Sequence, residues 1–303
     1  MKKVAVLLAT YNGEKFLEEQ INSLINQTYT NFDIIIRDDG SRDQTLKIIE
    51  KYEKKYPKKF INITDNIPSK KAQKNFFLLL KYAFDSKKYD YYMFCDQDDV
   101  WLEDKIYLEI NKLKSIKGAG LVFTDLMVVN EYKETISNSF MTYSKLPNRS
   151  LSINELLIQN NMPGCTMAFN DDLVKHINLE SINLMHDWHI AIVAALFGKT
   201  LFIDKPTILY RQHNNNTLGA TKYSILKKFN DFKLYQQNIN ECVRDLNKFY
   251  NDYQKKITKE YSKMFNDFAN IKKSNKFKRV LILYKYKIWK IGFFRKVFEI
   301  IYI

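Results

Sequence analysis

The sequence predicts an α/β protein: a mostly parallel sheet with helices on both faces, followed by a C-terminal helical extension. Three observations carry this expectation. Apolar runs alternate with amphipathic helical segments through residues 1–125, the order a parallel sheet requires. Polar and acidic clusters follow three of those runs directly, where open α/β sheets gather their ligands. Beyond Thr217 the strand pattern stops, and no glycine interrupts the chain between Gly219 and Gly292.

The elements follow in order. Val4–Thr10 is an apolar run that reads as a buried strand. Residues 14–26 carry Phe16, Leu17, Ile21, Leu24 and Ile25 at helical spacing. A strand over 32–37 enters Asp38-Asp39-Gly40-Ser41, and a helix over 43–55 presents Leu46, Ile48, Ile49 and Tyr52. A short strand at 60–64 and a Phe- and Leu-rich helix at 71–85 come next. A strand over 89–95 enters Asp96-Gln97-Asp98-Asp99, then a helix spans 101–117 and a strand 120–124. From about 130 to 216 the pattern is irregular. It holds helices at 153–159 and 187–197, strands at 165–169 and 200–203, and a Pro163-Gly164 turn. This divides the chain into a domain over 1–216, with halves 1–125 and 126–216, and an extension over 217–303.

Composition narrows the class. Of 303 residues, 46% are hydrophobic and 15% aromatic, which supplies a core and excludes general disorder. With 8 Gly and 5 Pro the chain is neither collagen-like nor a low-complexity linker. Cys95, Cys165 and Cys242 lie far apart without a CxxC pair, which argues against a disulfide framework or a cysteine zinc site. A reducing, cytoplasmic setting fits. The first apolar run is too short for a signal peptide, and no stretch reaches the roughly 18 uncharged apolar residues of a membrane span.

The net charge is +14, and it is concentrated. Between Lys272 and Ile303 stand ten basic residues against Glu299 as the one acid. The charge therefore describes a segment and does not mark a nucleic-acid-binding face, which would mingle basic and aromatic residues across one surface. From Phe277 onward, Lys and Arg alternate with Leu281, Tyr284, Trp289, Phe293 and other apolar residues. Such a mixture suits a helix lying on an anionic membrane surface. It also suits a helix packed on the domain with a solvated lysine face.

The acidic clusters carry the chemistry. Asp96, Asp98 and Asp99 within four residues repel one another unless a divalent cation, magnesium or manganese, offsets them. An acidic turn capping the next helix explains the same residues. Asp38 and Asp39 can be a turn, or carboxylates that accept hydrogen bonds from a ribose or base. In His186-Asp187-Trp188 the aspartate is an N-cap or a general base. Arg211 stands out as one of seven arginines among 48 basic residues, and its planar fork suits a phosphate. His213 suits a metal or a phosphate. A metal-dependent phosphotransferase or phosphatase built on Asp96–Asp99 is the alternative enzyme, and no GxxxxGK[ST] loop is present.

Five segments in order now resemble glycosyltransferase family 2. They are residues 4–13, ending Thr10-Tyr11-Asn12-Gly13; Asp38-Asp39-Gly40-Ser41-Arg42-Asp43; Cys95-Asp96-Gln97-Asp98-Asp99-Val100-Trp101; His186-Asp187-Trp188; and Tyr210-Arg211-Gln212-His213. The match covers about residues 1–215 and is most similar to a rhamnosyltransferase-like bacterial branch that builds surface polysaccharides. The resemblance implies a glycosyltransferase-A fold and an inverting transfer. The donor is a nucleotide-sugar, such as dTDP-rhamnose or a UDP-hexose, and the acceptor a growing surface polysaccharide or lipid-linked glycan. Thr10, Tyr11, Asn12, Asp38, Asp39, Lys74, Asp96, Gln97 and Arg211 then form the donor set. Asp96, Asp98, Asp99 and His213 surround the metal, Asp187 is the catalytic base, and Gly164, Cys165, His186 and Trp188 face the acceptor. Lys74-Asn75 takes the place of the family's frequent Arg-Asn, and the loop before it lacks the usual glycine. The expected location is cytoplasmic and peripheral, at the inner face of the cell membrane.

Overall fold

The computed structural model describes residues 2–65, 67–181, 183–213 and 232–303. The expected domain boundary at 216 and the start of the helical extension lie outside them.

Among the described residues the strands form a nine-stranded sheet. Strands β1 (Val4–Thr10), β2 (Phe32–Asp38), β3 (Phe60–Asn62) and β4 (Tyr91–Cys95) run parallel, in the order β3-β2-β1-β4. β1, β2 and β4 are buried almost throughout, so both faces need cover; β1 and β4 read as apolar runs, and β2 carries Ile34-Ile35-Ile36 between the buried Asp33 and Arg37. Alternation splits them between two cores. Val4, Val6, Leu8, Ile34, Ile36 and Met93 share one with α1 (Leu17–Ile25), α2 (Thr45–Lys55) and α4 (Lys105–Leu113). Ala5, Leu7, Ile35, Tyr92 and Phe94 share the other with α3 (Ala72–Asp85) and α8 (His186–Phe197).

The sheet continues differently from the simple parallel series. After β5 (Val100–Trp101) come β6 (Gly120–Asn130) and β7 (Thr135–Ser137), then β8 (Met167–Asn170) and β9 (Lys199–Gln212). β8 inserts between β4 and β6, antiparallel to both. β9 runs parallel to β6 along nearly its whole length. The 120–124 and 200–203 strands are therefore the starts of longer ones. Asp125 and Asp204-Lys205-Pro206 break their apolar pattern, and a register shift between Thr124 and Asp125 absorbs the interruption. The segment expected to open a helix at Trp101 is instead β5, paired antiparallel with Leu209 and Ile208 of β9, and α4 begins at Lys105.

Short helices α5 (Phe140–Tyr143), α6 (Ile153–Leu156) and α7 (Asp171–Val174) surround the second half. The described extension comprises α9 (Phe232–Tyr253), α10 (Lys259–Ala269), α11 (Lys276–Tyr286) and α12 (Phe293–Tyr302). It joins the core of the domain. Phe249 and Tyr253 of α9 close on His189 of α8, with Tyr253 Oη 3.1 Å from His189 Nε2 and accepting from the Asn178 amide at 2.7 Å. Farther on, Arg295 donates to the Lys145 and Ser144 carbonyls at 2.8 and 2.6 Å, and the Ile291 amide donates to Gln159 Oε1 at 2.9 Å. Among the described residues no helix is long and apolar enough to cross a membrane.

Candidate active site

Register brings the strand ends level. Thr10 pairs with Asp38, and Leu8 with Cys95, so the loops after β1, β2 and β4 leave one edge together. Asp38 is saturated there. It accepts from Thr10 Oγ1 (2.9 Å), Ser41 Oγ (2.5 Å) and the amides of Gly40 (2.9 Å) and Ser41 (2.7 Å). A carboxylate offers about four lone-pair positions, so Asp38 holds the turn and has none left for a nucleoside. The loop after β1 is clamped too. Asn12 adopts the left-handed conformation (φ 47°), its Oδ1 accepts from the Arg42 amide, and the Gly13 amide donates to Thr45 Oγ1 at 2.7 Å. Gln97 accepts from the Tyr11 amide at 2.8 Å and donates to the Tyr11 carbonyl at 2.9 Å. A Cβ at Gly13 would overlap that Gln97 amide group. Gln97 thus ties two loops together, while the Tyr11 side chain stays exposed.

Arg37 is a residue that sequence reasoning passed over. It is 2% exposed at the end of β2. Its guanidinium donates to Asp39 Oδ1 (3.3 Å), Asn75 Oδ1 (2.9 Å), Asp65 Oδ1 (2.6 Å) and the Ile67 carbonyl (2.8 Å). The Ser69 amide also donates to Asp39 Oδ1. Asp39 is therefore fixed through one oxygen, and its other oxygen makes no hydrogen bond to the described residues. Lys74 stands exposed on the first turn of α3, one residue before the buried Asn75.

The acidic cluster lies between two cavities. One, about 430 Å³, is lined by Tyr11, Asn12, Gln97, Asp98 and His213 among others. The other, about 520 Å³, is lined by Asp96, Asp98, Gly164, Cys165, His186, Asp187 and Trp188 among others. Asp98 borders both, and its Oδ2 lies 2.9 Å from His213 Nε2. Burial and the Asp98 charge push Asp96 up to about 7, with a smaller contribution from Asp187. The same two causes push Asp99 well up. Asp99 accepts from the Arg211 amide at 3.2 Å, and its buried Oδ2 has no hydrogen-bond partner among the described residues.

Carboxyl oxygens of Asp96 and Asp99 and the Cys165 sulfur lie within 4.8 Å of one another. Cys165 is 1% exposed, and burial raises its thiol, so the protonated sulfur faces the acids. That refines its expected place: Cys165 lines the cavity that holds Asp187, with its sulfur beside the acids. Crowded hard oxygens beside an imidazole, with one orphaned buried oxygen, are a donor set that fits a divalent cation. Arg211 is corrected. It is 2% exposed over the Phe16 ring, donating to the Asp98 carbonyl (2.9 Å), the Glu131 carbonyl (2.6 Å) and Glu19 Oε2. It braces the acidic loop, because β9 carries it beneath that loop rather than out into either cavity.

Across the larger cavity Asp187 opens α8. Its Oδ1 accepts from the Trp188 amide at 2.6 Å, and burial pushes its carboxyl up to about 6. His186 is stacked on Phe76 at 4.2 Å between ring centroids and pushed down to about 3 by burial, so it is a neutral imidazole. A Cβ at Gly164 would overlap His186 Nε2, so glycine there permits the close packing of the 164–166 turn on α8. Trp188 Nε1 donates to the Leu156 carbonyl at 2.6 Å. The extension completes the wall with Ile239, Cys242 and Lys290, residues that no local motif marks.

The larger cleft thus has an acidic strand end, with Asp96 and Asp98, on one side and Asp187 on the other. The model of glycosyl transferase family 2 matches residues 5–177. The dTDP-rhamnosyl transferase RfbG of Shigella flexneri is 35% identical over 226 residues, 70% of this chain and 74% of that protein. The poly(ribitol-phosphate) beta-N-acetylglucosaminyltransferase TarS of Staphylococcus aureus is 37% identical over 163 residues, 49% of this chain and 27% of that protein. The crystal structure of TarS 1-349 with UDP-GlcNAc matches at a TM-score of 0.53 and 18% identity, covering 94% of this chain and 80% of that one. The mannosyltransferase PcManGT of Pyrobaculum calidifontis, in complex with GDP-Man and Mn2+, matches at 0.56 and 15%, covering 93% and 73%. The chain belongs to glycosyltransferase family 2 and is a glycosyltransferase. Neither a phosphatase nor a nucleic-acid-binding role finds support among these relatives.

Proposed function

We propose that the protein is an inverting glycosyltransferase that extends a bacterial surface polysaccharide or lipid-linked glycan at an anionic membrane surface. The donor is a nucleoside diphosphate sugar, with dTDP-rhamnose first in line on the RfbG likeness and a UDP-hexose second. The observation that carries this reading is one cleft walled by Asp96 and Asp98 on one side and Asp187 on the other.

Tyr11 and the second oxygen of Asp39 contact the nucleoside, while Thr10, Asn12, Asp38 and Gln97 hold the loops that present them. Asp96, Asp98 and His213 hold a divalent ion, manganese or magnesium, with Asp99 behind them. Bound there, the ion supplies charge neutralisation for a diphosphate leaving group. Lys74 is within the first turn of α3 and serves as a mobile counter-charge to the donor. An acceptor hydroxyl enters from the larger cavity, where His186 and Trp188 shape the wall. Its oxygen forms the bond to the anomeric carbon, the bond from that carbon to the diphosphate oxygen breaks, and its proton passes to Asp187. A carboxyl raised to about 6 is a stronger base than an ordinary aspartate and is still ionised at neutral pH.

Incubation with a panel of nucleotide-sugars and manganese tests the reading. Nucleoside diphosphate release with one donor, and a product of inverted anomeric configuration by NMR, is the expected result. Retained configuration, or full turnover in excess chelator with the fold intact, rejects it.

A further inference from the structure

Helix α11 (Lys276–Tyr286) carries two apolar faces, and packing accounts for only one. The inner face is satisfied by the body of the protein. Ile282 and Leu283 are buried. Arg279 donates to the carbonyls of Ile303 (2.6 Å), Ser274 (2.8 Å) and Lys272 (3.0 Å). Tyr286 Oη donates to Asp267 at 2.5 Å, and its carbonyl accepts from Asn154 at 2.7 Å. On the outer side Phe277 is 75% exposed, Leu281 49% and Tyr284 75%. The steps of four and three put these side chains in one stripe on a 3.6-residue helix. Nothing in the described chain covers them.

The surroundings of the stripe select its partner. Lys276 lies to one side of it, and Lys278 and Lys285 to the other, by the same helical spacing. Lys276 and Lys278 have no carboxylate partner among the described residues, and α11 contains no acid. Protein interfaces are depleted of lysine at their centres. An apolar stripe bordered by lysines is the pattern of a helix lying in the headgroup region of an anionic bilayer.

We infer that Phe277, Leu281 and Tyr284 are the membrane-inserting residues of this protein, with Lys276 and Lys278 contacting acidic lipid headgroups, while Lys285 is paired with Asp267 at 3.3 Å. This deepens the reading that the enzyme works at a membrane surface, and corrects the expectation that the whole basic tail lies on the bilayer. Ile288 and Ile303 are buried, and Arg295 is tied to the carbonyls of Ser144 and Lys145. Because α11 is fixed to the body, docking through it also sets the orientation of the catalytic domain. The chain returns from α11 to the cleft wall within four residues, at Lys290. The cleft is thereby held beside the bilayer that would carry a lipid-linked acceptor.

The test uses full-length protein and co-sedimentation with phosphatidylglycerol–phosphatidylcholine vesicles, with pure phosphatidylcholine vesicles as the second arm. Wild type should bind the anionic vesicles, lose affinity as salt rises, and bind neutral vesicles weakly. Phe277→Ser, Leu281→Gln and Tyr284→Ser together should reduce binding at least tenfold with an unchanged melting temperature. Lys276→Gln with Lys278→Gln should reduce it several-fold, mostly at low salt. Binding of the triple variant equal to wild type overturns the inference. So does a wild-type dimer in solution that the triple variant dissociates, which would make the stripe a subunit interface. Nucleoside diphosphate release from donor without vesicles is measured in parallel. Its failure while vesicle binding behaves as stated would count against the catalytic reading and leave the docking surface standing.

Discussion

With Asp187 as the proposed base, a single substitution should separate chemistry from binding. Asp187→Asn keeps the size and the bond to the Trp188 amide but cannot take a proton, so kcat should fall ~10²–10⁴-fold. Donor affinity, measured by calorimetry, should stay near wild type because Asp39, Asp96 and Asp98, the carboxylates proposed to face the donor, are untouched. His186→Ala should cost less, since His186 is held against Phe76 and Phe94 as a packed neutral ring. A dead His186→Ala beside an active Asp187→Asn would exchange the two roles. The pH profile adds a second readout: with Asp187 raised to about 6, kcat should decline as pH drops through that value. Arg37 calls for a different signature. Arg37→Met frees Asp39 and the 65–69 loop, so donor KM should rise about tenfold, ~1.4 kcal/mol of ground-state binding, with kcat at saturating donor little changed. Arg37→Lys should not rescue it, because one ammonium cannot replace a fork that meets four acceptors. A kcat loss without a KM change would leave Arg37 as a fold residue only. Asp96, Asp98 and Asp187 were legible in the sequence because each stands inside a local motif. Arg37 was passed over and Arg211 was read as a donor contact rather than a brace, because their partners are remote in sequence: Asp65 and Asn75 for one, Glu19 and Glu131 for the other.

At the level of elements, the parallel strands were legible because burial on both faces leaves an apolar run within each of β1, β2 and β4. β5 and the later half of β9 were not, since a two-residue strand has no period and Asp204-Lys205-Pro206 interrupts the other. The same limit applied to the cleft. The wall of the larger cavity is assembled from the 164–166 turn, the start of α8 and the distant α9, and only the tertiary packing joins them. Two outcomes follow from that packing. Gly164→Ala should push on the His186 ring and disturb the start of α8, so acceptor KM should rise several-fold while donor affinity holds; equal effects on both substrates would contradict a local role. Phe249→Ala removes a fully buried ring stacked at 4.3 Å on Tyr253 and seated against His189. It should lower unfolding free energy by about 3–5 kcal/mol, read from denaturant midpoints. A loss below about 1 kcal/mol would mean that α9 does not share the core of the domain.

For the molecule as a whole, the buried acids set an unusual stability profile. Burial and the Asp98 charge hold Asp96 up at about 7, and burial raises Glu109 and Glu299 to about 7 and Asp187 to about 6. Unfolded, such groups titrate near ~4. Between those values the native state binds more protons than the unfolded state, so unfolding free energy falls as pH rises. His186 and His189 act in the opposite sense. Burial holds both near about 3, so the unfolded chain takes up their protons below its own value of about 6.5 and stability is lost on acidification. The raised acids outnumber these histidines and begin to titrate at higher pH. Glu155, held at about 2 chiefly by its hydrogen bond to Arg149, adds a loss that starts only below the unfolded glutamate value. In chelator, the melting temperature should therefore rise on going from pH 8 to pH 6. A divalent ion bound at the acidic cluster, as proposed, would have to displace the proton that Asp96 holds near neutrality. Manganese should thus raise the melting temperature more at pH 8 than at pH 6, and release protons in calorimetry run in buffers of different ionisation heat. A chelated protein that loses stability from pH 8 to pH 6 would mean that the acidic cluster is already charged without metal. The cleft would then have to offset that charge with protein cations rather than with an ion.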